Sequence, residues 1–136
     1  MVIHQIQAKE NEMHLEHVNI TVPDPKATAA TLCDIFGWHI RWQGEAKDNG
    51  FTVHVGDSDS YLALYAPKKS LEPMGNTYSR IGGFNHVGVV VNDIEEIEAK
   101  VIASGFTPHL HGDYEPGLRF YFDGPYGIEF EVVSYD

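Results

Sequence analysis

HVNITVPDP, from His17 to Pro25, and HVGVVVNDI, from His86 to Ile94, are two renderings of one pattern. Each opens on a histidine, alternates apolar residues, and closes on a polar residue suited to begin a helix. The apolar sets are Val18, Ile20 and Val22 in the first and Val87, Val89 and Val91 in the second. A period of two predicts a strand with one apolar and one mixed face, and the histidine heads the mixed set, followed in the first copy by Asn19 and Thr21. Asp24 before Pro25 reads as an N-cap with proline at the first helical position, and Asp93 with Glu96 reads as a capping box. Gly37 and Gly105 stand where the helices should stop. Between these signals Leu32, Ile35 and Phe36, then Ile94, Ile97 and Val101, recur at spacings of three and four, which gives each helix one apolar stripe.

The two stretches lie 69 residues apart, and the similarity continues. Phe36-Gly37-Trp38 matches Ser104-Gly105-Phe106 at an offset of 68, so one residue has been lost. Held at that offset, FTVHV from Phe51 falls on RFYFD from Arg119, and YLALYA from Tyr61 falls on EFEVV from Glu129. The expectation is an α+β fold of two tandem βαβββ modules, residues 14–66 and 84–136. They form a curved, cup-shaped mixed sheet with the helices on its outer face. PKKSLEPMGNTYSRIGG, residues 67–83, is rich in turn formers and reads as the link. Residues 1–13 belong to neither copy and read as a tail or an added strand, the whole forming one compact domain.

Composition narrows the function. A formal charge of −11 sets this surface against nucleic acid and anionic membrane, so a small molecule or another protein is the expected partner. One cysteine, Cys33, permits no internal disulfide, and the polar first residues carry no secretory run; the expected location is the cytoplasm.

The repeat also points to a site, because equivalent positions of two copies converge on a shared cavity. His17 and His86 are one such pair. On the last strands Glu131 is the mate of Ala63, so three of four symmetric positions hold ligand-type residues and the fourth is vacant. Two imidazoles and a carboxylate suit a divalent transition metal, with positions left for water or substrate. Tyr121 and Arg119 share a strand face beside Glu131 and are candidates for a proton donor and an anion holder. Glu129, two residues before Glu131, reads as a solvent-facing residue or an acceptor for a ligand histidine. His54, set at this offset against Phe122, reads as structural. His109 and His111 read as part of a polar loop before a strand.

HVNITV, HVGVVV and the closing Gly124-Pro125-Tyr126-Gly127 before Glu129-Phe130-Glu131 together resemble the vicinal oxygen chelate superfamily, which holds glyoxalases, fosfomycin-modifying thiol transferases, extradiol dioxygenases and metal-free bleomycin-binding proteins. The resemblance implies that His17, His86 and Glu131 bind a divalent metal such as Fe, Zn, Mn or Ni. It implies a homodimer, and chemistry of a lyase, isomerase, thiol transferase or dioxygenase on a small oxygen-rich substrate; the alternative is a metal-free small-molecule binder. Glyoxalases carry a glutamate or glutamine where this chain has Ala63, so their four-ligand set is incomplete here. Asn19 replaces the threonine that the thiol transferases present beside the first histidine. The best-known dioxygenases carry four such modules rather than two. For the metal-free alternative, Trp42, Tyr61 and Tyr65 are candidate contacts for an aromatic or cationic ligand.

Overall fold

A computed structural model describes residues 13–69, 71–114 and 117–135. Of the segment expected to form a tail or an added strand, residues 1–12 lie outside the described residues. In chain order the elements are β1 (His17–Thr21), α1 (Pro25–Phe36), β2 (His39–Ala46), β3 (Gly50–Gly56), β4 (Tyr61–Ala66), β5 (Val87–Val90), α2 (Ile94–Ala103), β6 (His109–Tyr114), β7 (Gly117–Asp123) and β8 (Glu129–Ser134). The expected α+β repeat of βαβββ modules is what the structure shows. Among the described residues eight strands divide into two four-stranded sheets, ordered β1-β4-β3-β2 and β5-β8-β7-β6. Each sheet is mixed: β1 runs parallel to β4 and β5 parallel to β8, and the other pairs are antiparallel.

The helix signals work as the sequence suggests. Asp24 accepts a hydrogen bond from the Ala27 amide at 3.1 Å, Pro25 occupies the first turn, and Gly37 ends α1 in the left-handed region at φ 74°. Asp93 accepts from the Glu96 amide at 3.1 Å, while the Glu96 carboxylate pairs with Lys100 instead of returning to the cap. Ala29, Leu32 and Ile35 of α1 are buried and pack with Val53 and Val55 of β3 and Leu64 of β4 in one apolar core. That core extends into the second sheet through Phe120, Phe122, Phe130 and Val132, with the Phe36 ring 6.3 Å from Phe122 and 5.7 Å from Phe130. Cys33 packs against the same core, and burial raises its thiol pKa.

Strand pairing corrects one detail of the repeat. His54 pairs with Ala63, and Tyr121 pairs with Glu131. Since Ala63 and Glu131 are equivalent, the mate of His54 is Tyr121, not Phe122. The hairpin from β3 to β4 is one residue shorter than that from β7 to β8, so a constant offset slips by one on the third strand of each module. Because side chains alternate, a slip of one exchanges faces. Val53 and Val55 then match the buried Phe120 and Phe122, and His54 joins the open face.

His109 and His111 are also placed differently from expectation: they lie on β6, not in a loop. The pairing of β6 with β7 is irregular between His109 and Gly112, and Leu110 within it has φ 54°. That break sends the two imidazoles apart, His109 towards Tyr121 and His111 to the Glu98 carboxylate of α2 at 2.7 Å.

Candidate functional site

The open face of the second sheet gathers a polar network. Glu131 and Glu129 project from alternate positions of β8, while Phe130 and Val132 between and beyond them are buried. His86 immediately precedes β5, and its Nε2 lies 3.1 Å from Glu131 Oε1. The other oxygen of Glu131 accepts from Arg119 at 2.5 Å, and the Arg119 side chain is only 12% exposed. Tyr121 stands beside Glu131 on β7, with its ring edge-on to His86 at 5.6 Å and stacked at 6.5 Å from His109.

A tyrosine from the link completes the network, and the sequence reading passed over it. Asn76 caps a short turn, Thr77–Ser79, by accepting from the Tyr78 amide, and the chain folds back tightly enough that a Cβ on Gly83 would meet the Thr77 carbonyl oxygen at 2.1 Å. So held, the Tyr78 hydroxyl lies 2.6 Å from Glu129 Oε1 and 3.2 Å from His86 Nδ1. A phenol has one proton to give, and a carboxylate can only accept it. The hydroxyl therefore donates to Glu129 and accepts from Nδ1–H of His86, which assigns the tautomer. The hydrogen bond to Glu129, which only the neutral phenol can donate, then desolvation and the Glu129 charge, push the Tyr78 pKa up to about 12.

The other ring nitrogen faces Glu131. His86 Nε2 stands 3.1 Å from a carboxylate oxygen, close enough for a single proton or cation to be shared between the two donor atoms. Two lone pairs at that separation repel, and the contact becomes favourable only with a cation or a proton between them. His86 and Glu131 thus fit a metal ion as two donors. Arg119 and Tyr78 are the outer partners that orient such ligands.

The first sheet is built differently. At the position equivalent to Glu131 it has Ala63, which is buried, flanked by Asn19 on β1 and His54 on β3. His17 pairs with Tyr61 across the strands, stacks on its ring at 4.9 Å, and hydrogen-bonds Glu16 through Nδ1 at 2.8 Å. That bond holds the Glu16 carboxyl below its usual range. His54 stacks on Tyr61 at 4.5 Å and lies 6.5 Å from His17, and burial, then the charges of His17 and Arg41, lower its pKa. His17 and His86 line one groove of about 340 Å³ that also includes Tyr61, Trp38 and Phe84. Among the described residues no three His, Cys, Asp or Glu side chains gather closely enough to hold a metal. Of the three sequence-selected ligands, the structure brings two together and leaves His17 on the other sheet.

A repeated βαβββ module with an edge-strand histidine facing a last-strand carboxylate defines a class of protein. The profile described as the glyoxalase/bleomycin resistance protein/dioxygenase superfamily matches residues 14–132, and this chain belongs to that superfamily. Among solved structures it is similar to a glyoxylase/bleomycin resistance protein/dioxygenase domain from Frankia sp. EAN1pec, at 15% identity and TM-score 0.75 over 90% of this chain and 97% of that one. It is also similar to the trypanothione-dependent glyoxalase I of Leishmania major, at 16% identity and TM-score 0.70 over 91% and 88%. A third is a mutant of the fosfomycin resistance protein FosX from Listeria monocytogenes, solved with Mn(II) and a dihydroxypropylphosphonic acid, at 17% identity and TM-score 0.66 over 88% and 90%. At these identities the likeness establishes the fold. No curated protein matches significantly. Among the described residues no helix is long and apolar enough to cross a membrane.

Proposed function

We propose that this chain is a metal-dependent enzyme acting on a small molecule with two neighbouring oxygens, with His86 and Glu131 of one copy and His17 of a second copy as the metal ligands. The observation that carries the reading is His86 Nε2 set 3.1 Å from Glu131 Oε1 on one sheet face, a spacing that a cation held by both donor atoms fits. Two further features support His17 arriving from a second copy. His17 belongs to a different sheet from the other two donors. The helices cover one face of each sheet, and on the opposite faces Trp42 is 53% and Val90 64% exposed, apolar surface that a partner would cover.

A divalent transition metal held there supplies Lewis acidity to a bound oxygen. The residues of the chain have separate tasks. Arg119 orients Glu131 through Oε2, leaving Oε1 for ligation, so in this reading Arg119 acts on the ligand instead of on the substrate. Tyr78, backed by Glu129, holds the His86 ring with Nε2 facing inwards. Tyr121, beside both ligands, gives its hydroxyl proton to an oxygen of the substrate as negative charge develops there.

Elemental analysis of protein purified without chelator tests the proposal, alongside light scattering. One transition metal per chain, a dimeric mass, and loss of metal in Glu131→Ala but only weakened binding in Glu129→Ala are the expected results. A metal-free monomer would overturn it. The aromatic residues of the first sheet favour a second reading, a metal-free binder of a planar ligand; that reading requires ligand-induced thermal stabilisation indifferent to chelator.

A further inference from the structure

We infer that the open face of the first sheet is a binding site for a planar aromatic carboxylate, with Arg41 taking the carboxylate and Trp42, at the end of a ring series with His54 and Tyr61, offering the stacking face. The origin of the site is a β-bulge. In the pairing of β2 with β3 the register shifts between Ile40 and Trp42, so Arg41 and Trp42 together stand opposite His54. In a regular strand neighbouring residues point to opposite faces; the extra residue in a bulge re-aims a side chain. Here it brings two chemically different groups to one face. The Trp42 ring lies 5.3 Å from His54, and the Arg41 guanidinium lies 4.5 Å over the Tyr61 ring.

The rings are continuous. From Trp42 to His54 to Tyr61 the centroids are 5.3 and 4.5 Å apart, and the last pair is stacked at 23°. Tyr61 carries His17 and Arg41 as well as His54 against its ring, so the surface left to a flat molecule is the Trp42 indole at the end of the series, which favours a flat ring over a puckered one. Arg41 is held by cation–π contact and by one hydrogen bond to the Asp57 backbone oxygen at 3.2 Å. The carboxylates of Glu16 and Asp57 feel its charge, but among the described residues none forms a direct ion pair with it, although the chain holds 20 acidic residues against 9 Lys and Arg. In a protein this acidic, a guanidinium placed over an exposed aromatic wall selects for an anion, and its fork suits a carboxylate. The second module has no counterpart: its bulge falls after His109, the position equivalent to Trp42, and adds Leu110 instead of an arginine.

The inference rests on the proposed function only for where the strip ends up, which is the cavity wall facing Glu131 of a second copy. Titration of the full chain with benzoate, cyclohexanecarboxylate and benzyl alcohol, followed by NMR shifts of the Trp42 indole N–H, tests it with and without EDTA. Expected is tighter binding of benzoate than of either control, by about tenfold or more, from the charge-assisted bond and the stacking. Arg41→Gln should bring benzoate down to the level of benzyl alcohol, Arg41→Lys should fall between, and Trp42→Ala should erase the preference over cyclohexanecarboxylate. Benzoate binding no tighter than both controls, or unchanged by Arg41→Gln, would overturn the inference. Arg41-dependent binding that survives EDTA in a protein without metal upholds it while the metal reading fails. Stoichiometric metal with benzoate indifferent to Arg41 does the reverse.

Discussion

The two modules share a backbone plan and a core but present opposite kinds of surface. In the second, charged and hydrogen-bonding groups are locked into one another: Arg119 on Glu131, Glu131 against His86, His86 on Tyr78, Tyr78 on Glu129. In the first, Ala63 and Tyr61 stand at the positions of Glu131 and Glu129, and Tyr61 stacks with His17 and His54 where the second module has its carboxylate network. The lesson is that the fold determines which positions share the open face, and the residues there make opposite surfaces of it, one module locking polar groups into a network and the other stacking rings.

The strongest way to break the comparison is at the core the modules share. Phe122→Ala removes a fully buried ring that touches Phe36 of the other module, and should cost about 3–5 kcal/mol. Urea denaturation followed by far-UV signal and by tryptophan emission should show a single earlier transition; two separated transitions would mean the modules are independent.

A smaller effect is expected in the polar network. Tyr78→Phe frees His86 Nδ1 and Glu129 together, and metal affinity, read by competition with a chelating dye, should fall by about 10- to 100-fold. Tyr61→Phe, on the ring-lined face, should leave it within about twofold, since its hydroxyl reaches only Glu16 at 3.4 Å.

The mildest effects are in titration. Tyr78, pushed up to about 12, should ionise well above the ordinary phenol range in an ultraviolet pH titration. The sign follows from linkage: the neutral phenol is favoured in the folded state, so its contribution to stability is present below pH 10 and is lost as pH rises towards 12, and Tyr78→Phe removes that dependence. His54, lowered by burial and by the neighbouring cations, should titrate below its ordinary value by NMR. Its contribution is present above about pH 6.5 and is lost as pH falls.

Much of this was legible in the sequence because the repeat carries it. Alternation in β1 and β5 and the caps at Asp24 and Asp93 specified element types locally, and a single offset placed Ala63 opposite Glu131 in the correct register. Three residues escaped. His54 was lost to a hairpin one residue shorter, which a constant offset cannot follow; matching the buried pair Val53 and Val55 to Phe120 and Phe122 finds it. Tyr78 sits in a stretch whose prolines and glycines signal only the lack of regular structure, and the fold-back through Gly83 that delivers it is a tertiary contact with no periodic trace. Arg41 shares a face with Trp42 because of a bulge, and strict alternation predicts the opposite.

The central claim, that the first module of one copy and the second module of another make one metal site, is open to a mixing experiment. His17→Ala and His86→Ala each remove a ligand and should each be metal-free. Mixed in equal amounts and allowed to exchange subunits, they should regain metal at one intact site per mixed dimer, about a quarter of the wild-type content for random pairing. A mixture that stays as empty as either variant, while wild-type protein treated the same way keeps its metal, would contradict the account.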